Sequence, residues 1–206
     1  MKKLKLLHVG CGSLTKDNTT KEFASERWEE IRLDIDESVD PDIVASVLNL
    51  EMIQSNSFDA IYSSHNIEHV FSHEIPMMLK EFIRVLNEDG ILVVNCPNLL
   101  HIAELIAKDK LTEAAYTSPI GPITPLDMIY GHIESISKGN FHMAHKCGFT
   151  PTSLRKALEK SGFGSVGVLS MKSQFDIWAM ASVKKIDDKS AMKSLLKKHL
   201  PITRKF

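Results

Sequence analysis

The sequence has few cysteines, no long apolar run and almost no net charge. Its three cysteines, Cys11, Cys96 and Cys147, lie far apart and form no C-x-x-C pair, which predicts reduced thiols and a cytoplasmic location. The 25 basic and 26 acidic residues give a formal net charge of -1, which offers no support for nucleic-acid binding. No segment approaches the roughly 20 apolar residues that a membrane-spanning helix needs. The 206 residues, 43% of them hydrophobic, suffice for one α/β domain with a small insertion.

The most informative stretch is a glycine turn that follows the first apolar run. Leu6–Val9 predicts a buried strand, and Gly10–Gly12 predicts a tight turn in which the missing Cβ lets the backbone approach a ligand. Because Lys5 and His8 interrupt the apolar run, we expect a strand here and not a signal peptide. Further along, Ile31–Asp34 predicts a second strand that ends in a carboxylate. A carboxylate at that position of a nucleotide-binding sheet accepts hydrogen bonds from ribose hydroxyls.

The spacing of the glycines separates two kinds of nucleotide ligand. The dinucleotide fingerprint G-x-G-x-x-G needs a third glycine, and Thr15 occupies that position. The sequence also contains no Tyr-x-x-x-Lys dyad, so a nicotinamide-dependent oxidoreductase is the weaker interpretation. A nucleoside ligand without a pyrophosphate fits this turn better.

Three segments resemble one enzyme family. His8–Ser13 (HVGCGS) is similar to the hydrophobic-x-G-x-G-x motif of the class I methyltransferases that use S-adenosylmethionine. The Phe58-Asp59 pair resembles the opening of that family's fourth strand, and Ser64–His69 resembles the S-x-x-x-E-H pattern of its type-11 group. The resemblance covers roughly residues 4–98 and 148–183. It implies transfer of a methyl group from S-adenosylmethionine to a small-molecule acceptor with an oxygen or nitrogen nucleophile.

The resemblance also implies the architecture. We expect an α/β, doubly wound, Rossmann-like fold whose seven-stranded sheet is mostly parallel, in the order 3-2-1-4-5-7-6, with the last-added strand antiparallel. A single methyltransferase domain would span residues 1–183. Within it, residues 99–149 would form a cap insertion after the fifth strand, where this family commonly builds the acceptor site. Residues 184–206 would form a basic C-terminal tail with a short amphipathic helix.

The same resemblance assigns a set of residues to the cofactor. Gly10 and Gly12 would clear space for it, Asp34 would hold the ribose, and the loop after the fourth strand would line its methionine end. The adenine would lie near Leu48–Leu50. The predicted cofactor-binding residues are His8, Gly10, Cys11, Gly12, Asp34, Ile35, Leu48, Asn49, Leu50, Ser64 and His65.

The predicted cap contains three histidines in a long loop. His132, His142 and His145 suit binding of the acceptor, and His142 or His145 is predicted to act as the general base for a hydroxyl acceptor. These histidines form no helical i, i+4 pair and have no nearby x-x-C motif, so we predict no metal site. Glu68 and His69 lie in the loop after the fourth strand, which is expected to line the methionine end of the cofactor. The competing interpretation is that these two residues only support the structure of that loop.

Other functions and partners stay open beside this one. A protein that binds S-adenosylmethionine without catalysis is an alternative, because His8 and Ser46 stand where many members of the family carry acids. The nicotinamide-dependent oxidoreductase is another. Methylation of a nucleic acid or a protein is a third alternative, although the balanced charge and the lack of an N-P-P-Y-type tetrad argue against methylation of adenine. We therefore expect a small-molecule partner, no nucleic-acid partner and no membrane span, with a homodimer left open.

Local patterns predict several helices. Three apolar residues have helical spacing within Asp17–Trp28, and a stronger apolar stripe runs along residues 75–86. Thr150 and Pro151 predict the cap and the first residue of a later helix, which Gly162 would end.

Overall fold

The computed structural model describes residues 2–200 and is built on one seven-stranded sheet. The strands are β1 Leu4–Val9, β2 Trp28–Asp34, β3 Ile43–Val44, β4 Phe58–Ser64, β5 Leu86–Pro97, β6 Tyr116–Ser118, β7 Gly121–Ile123, β8 Ser165–Met171 and β9 Asp176–Ser182. Their order in the large sheet is β3-β2-β1-β4-β5-β9-β8, and β6 and β7 form a separate hairpin. Strands β1 to β5 are parallel, whereas β9 is antiparallel to both β5 and β8. The predicted fold class and strand order are confirmed.

Six α-helices accompany the sheet in the described part of the chain. They are α1 Ile75–Val85, α2 Leu99–Ile106, α3 Pro125–Tyr130, α4 Ile133–Ser137, α5 Pro151–Ser161 and α6 Lys189–His199. Helix α5 has the predicted ends, since the Thr150 side chain accepts a hydrogen bond from the Ser153 N–H and Gly162 closes the helix at φ 109°. Among residues 2–200, no helix combines the length and apolarity required to cross a membrane.

The two faces of the sheet have separate apolar cores. Alternate residues of the strands, such as Leu7 and Leu92, pack beneath α1 and α5, and the intervening ones, such as Leu6 and Val93, face the opposite side. That second face is covered by α6, whose Met192, Leu195 and Leu196 pack on it, and by Phe23 and Trp28.

The helix predicted within Asp17–Trp28 is absent, and this expectation was wrong. The segment contains a single 3-10 turn, Lys16–Asn18, followed by further turns, and Trp28 opens β2. The hydroxyls of Thr19 and Ser25 donate to nearby backbone carbonyls, and Thr20 Oγ1 accepts from the Phe23 N–H. Such local side-chain bonds compete with helical hydrogen bonds, and they outweigh the weak apolar stripe.

The last described helix, α6, packs on the second core of the sheet. Its His199 is 3% exposed and packs against Phe23 with the ring centroids 4.6 Å apart. The Nδ1 atom of His199 has no hydrogen-bond partner within residues 2–200. Residues 201–206 of the predicted basic tail lie outside the described residues.

Burial of His199 predicts a loss of stability in mild acid. Desolvation lowers the pKa of His199 from 6.5 to about 4. At a pH between these two values, the histidine is protonated in the unfolded chain and neutral in the folded chain. We expect the free energy of unfolding to fall by about 1 to 2 kcal/mol between pH 7 and pH 5 through this group. Urea denaturation at both pH values would show a smaller pH effect in His199→Phe, and an unchanged one in the exposed-site control His73→Gln. Equal pH effects in wild type and His199→Phe would contradict the prediction.

Candidate active site

A cleft lies at the carboxyl ends of the parallel strands, where the strand order reverses. The chain leaves β1 toward β2 on one side, and β4 lies on the other side of β1. Ligands of open α/β sheets bind at such a point. Of the residues predicted for the site, those that line the cleft are Gly10, Gly12, Asp34, Ile35, Leu48, His65 and His142.

The two glycines of the turn serve different purposes. Both have positive φ, 61° at Gly10 and 52° at Gly12, a region that costs other residues energy. A Cβ on Gly10 would overlap the side chain of Asn66, at 2.9 Å from its Cβ, whereas a Cβ on Gly12 would meet nothing within 4 Å. Gly10 thus makes room for the loop after β4, and Gly12 leaves open space beside the cleft.

Asp34 fixes the turn and retains capacity for a ligand. Its Oδ2 accepts a hydrogen bond from the Gly12 N–H at 2.8 Å, and its Oδ1 accepts one from the Asp36 N–H at 3.0 Å. A carboxylate offers about four lone-pair sites, so about two remain for hydroxyl donors.

Arg32 supports the loops beside the cleft, and the sequence analysis did not single it out. Its guanidinium donates to the carbonyls of Gly12 and Leu14 in the glycine turn, at 2.6 and 3.1 Å. It also donates to those of Val39 and Asp40 in the loop after β2, at 3.1 and 2.7 Å. Arg32 therefore joins the two loops that border the cleft on this side.

His8 lies away from the cleft. It is 2% exposed on the face of the sheet covered by α6, with its Nδ1 2.7 Å from Glu30 Oε1 and its ring edge-on to Tyr62. Desolvation lowers the pKa of His8, although the hydrogen bond to Glu30 opposes this effect. The structure thus gives His8 a partner within the fold.

Four other predicted cofactor residues and one predicted base also fall outside the lining. Cys11 is 2% exposed, and Leu50 belongs to the core with no exposed surface. Asn49 is exposed and caps the Glu51 N–H, and Ser64 is the last residue of β4, paired with β5. The fifth, His145, lies behind the cleft wall, with its Nδ1 3.1 Å from the Met128 carbonyl oxygen.

The loop after β4 forms a second wall of the cleft and carries a histidine that lies between two carboxylates. His65 adopts a left-handed backbone, φ 47°, and its Nδ1 lies 3.3 Å from Glu68 Oε1 while its Nε2 lies 3.7 Å from Asp176 Oδ2. Desolvation opposes the charge, but the two carboxylates outweigh it and raise the pKa of His65 to about 10. An outlying backbone conformation of this kind is typical of functional loops.

The insertion after β5 forms the remaining wall. Its residues Asn140, His142, Met143 and Lys146 line the cleft. The Lys146 N–H donates to the Glu68 carbonyl at 2.8 Å, so the insertion is bonded to the loop after β4. The insertion also has its own small apolar core around Ile102, Ile123 and Met128.

The unequal surroundings of the two glycines give a test. We expect Gly12→Ala to lower the free energy of unfolding by about 1 kcal/mol, the cost of left-handed backbone alone. Gly10→Ala has the same backbone strain and must also displace Asn66, so we expect its free energy of unfolding to fall by about 3 kcal/mol or more. Urea denaturation of both variants measures the difference, and equal losses would contradict the role given to Gly10.

Comparisons with known proteins agree with this geometry. Residues 7–94 match the sequence profile of a methyltransferase domain family of type 11, although a search of curated protein sequences finds no match. Among solved structures, the chain is similar to an S-adenosylmethionine-dependent methyltransferase from Methanosarcina mazei, with 16% identity, 90% of this chain and 95% of that one covered, and a TM-score of 0.58.

Two further structures have the same fold. A methyltransferase from Thermotoga maritima, described as a possible histamine N-methyltransferase, has 15% identity over 89% of this chain and 84% of its own, with a TM-score of 0.55. An S-adenosylmethionine-dependent methyltransferase from Archaeoglobus fulgidus has 16% identity over 87% and 86%, with a TM-score of 0.53. The match over residues 7–94 and the seven-stranded fold together support a class I S-adenosylmethionine-dependent methyltransferase whose matched segment is similar to the type-11 group.

Proposed function

We propose that this enzyme methylates an oxygen or nitrogen atom of a small-molecule acceptor. The observation that carries the proposal is the shape of the cleft, which has the glycine turn and Asp34 on one side and the insertion with His142 on the other. An insertion that lines the cleft in this way can cover a compact acceptor. The net charge of -1 gives no attraction to a nucleic acid.

The residues around the cleft fit S-adenosylmethionine. Asp34 has spare acceptor sites for the two ribose hydroxyls, and Gly12 leaves the space beside it open. Asn66 also lines the cleft, and its buried Oδ1 has no hydrogen-bond partner within residues 2–200, so it can accept from the amino group of the methionine part. Ile35, half exposed, and Leu48 would pack against the adenine.

The residues of the chain have to place the acceptor and keep water out. Bound S-adenosylmethionine supplies a methyl group on a positively charged sulfur, whose carbon–sulfur electron pair returns to sulfur as the new bond forms. The acceptor must lose one proton, and His142 is the residue we assign to accept it. His142 and Asp36 both line the cleft, the first in the insertion and the second in the loop after β2. Alignment in a dry cleft supplies most of the remaining rate enhancement.

The acceptor class and the role of His142 can be tested together. A cell extract separated into small molecules, protein and nucleic acid would be incubated with the enzyme and S-adenosylmethionine labelled in its methyl group. We expect the label in the small-molecule fraction, and a rate about 100-fold lower for His142→Gln, with cofactor binding retained. The control His73→Gln, at an exposed site outside the cleft, should match the wild type.

Other results would point elsewhere. Label in protein or nucleic acid would contradict the small-molecule acceptor. Full activity of His142→Gln would exclude it as the base. Cofactor binding with no labelled product in any fraction would favour the non-catalytic alternative.

A further inference from the structure

Three side chains that could bind a metal converge at the wall of the cleft that the loop after β4 forms. Glu68 and His69 belong to the 3-10 turn Ile67–His69 after β4, and His145 lies where the insertion returns to the sheet. The N–H groups of the two residues after His145 both donate to the Glu68 carbonyl, which brings the two segments together. One ligand atom from each of the three side chains lies within 4.8 Å of the others.

Both imidazoles are held in an orientation suitable for binding a cation. The Nδ1 atoms of His69 and His145 lie 3.1 Å from the carbonyl oxygens of Ala144 and Met128. A carbonyl oxygen only accepts, so each Nδ1 carries the proton and each Nε2 of a neutral ring has a free lone pair. Backbone partners of this kind fix the ring and tautomer of metal-binding histidines.

The burial of Glu68 indicates a cation at this place, independently of the positions of the two histidines. Its residue is 1% exposed, and neither carboxylate oxygen has a hydrogen bond within residues 2–200. A buried carboxylate without such bonds requires a cation nearby. The Nδ1 atom of His65 lies 3.3 Å from Glu68 Oε1, whereas Glu68 Oε2 has no hydrogen-bond partner within residues 2–200. This buried oxygen is available to bind a cation.

We propose that Glu68, His69 and His145 bind a divalent transition-metal ion such as Zn²⁺ at the acceptor end of the cleft. Two imidazole nitrogens and one carboxylate oxygen favour such an ion over Mg²⁺ or Ca²⁺. Bonds of about 2.1 Å place tetrahedral ligands about 3.4 Å apart, so small side-chain rotations would close the site. The inference revises the sequence-based prediction of no metal, which considered only the histidines of the cap.

The site would leave a coordination position for the acceptor. Three protein ligands and one open position are typical of catalytic zinc, and His69 itself lines the cleft. This role rests on the proposed function: an acceptor hydroxyl bound to the ion would lose its proton at a lower pH, and the proton passes to His142 or to water. The proposal therefore narrows the acceptor class to molecules with a hydroxyl group.

The test is metal binding by the full chain after removal of metal with a chelator. Titration with Zn²⁺ should give one tight equivalent, weakened about 100-fold in His69→Gln and in His145→Gln, and unchanged in His73→Gln. Titration with Co²⁺ needs no variant: strong visible absorption bands of a four- or five-coordinate ion are expected. Weak bands like those of hydrated Co²⁺, or Zn²⁺ affinities equal in all four proteins, would overturn the proposal and leave Glu68 as a counter-ion of His65.

Binding of S-adenosylhomocysteine, measured on the same samples, separates this proposal from the proposed function. Circular dichroism spectra of the two histidine variants that match the wild type show that they are folded, so their loss of metal is specific. A chain that binds Zn²⁺ through these residues but no S-adenosylhomocysteine would refute the proposed function and retain the metal site. The reverse result would refute the metal site alone.

Discussion

The structure of the cleft depends on the hydrogen bonds that join the glycine turn to the end of β2. Asp34 receives the Gly12 N–H, and the Arg32 guanidinium bonds carbonyls of both bordering loops. Since no α-helix lies between β1 and β2, the start of a helix cannot hold the glycine turn, and these two side chains hold it instead. The face of the sheet opposite α1 and α5 is covered by α6, from the other end of the described chain. On the side of the glycine turn, the cleft is thus bordered by loops and not by an α-helix.

The parts of the fold that could be predicted from the sequence have local signals. The residues at each end of α5 indicate where the helix begins and ends, with a cap at Thr150 and a stop at Gly162. Both ends were predicted correctly. The strand order followed from the family resemblance, which periodicity alone would not have supplied. The proximity of Gly12 and Asp34 was also within reach, because adjacent parallel strands end at the same edge of the sheet.

The features that could not be predicted depend on contacts between distant segments. Arg32 binds backbone carbonyls, which no sequence letter reveals. His145 meets Glu68 only because the insertion folds back on the loop after β4. The position of His8 could have been inferred from the sequence. Because side chains alternate along a strand, His8 lies on the same face of the sheet as Leu6 and on the opposite face from Leu7, away from the cleft. The family motif was given more weight than this alternation.

Calorimetric titration with S-adenosylhomocysteine tests the central claim, that the cleft beside Asp34 holds the cofactor. The account predicts micromolar binding by the wild type and at least about ten-fold weaker binding by Asp34→Asn, which loses charged acceptors for the ribose. Asp42→Asn is a matched control, because Asp42 also accepts a backbone N–H, that of Arg32 at 2.7 Å, but lies outside the cleft lining, and it should bind as the wild type does. Equal binding by Asp34→Asn, or binding of NAD in place of S-adenosylhomocysteine by the folded wild type, would contradict the account.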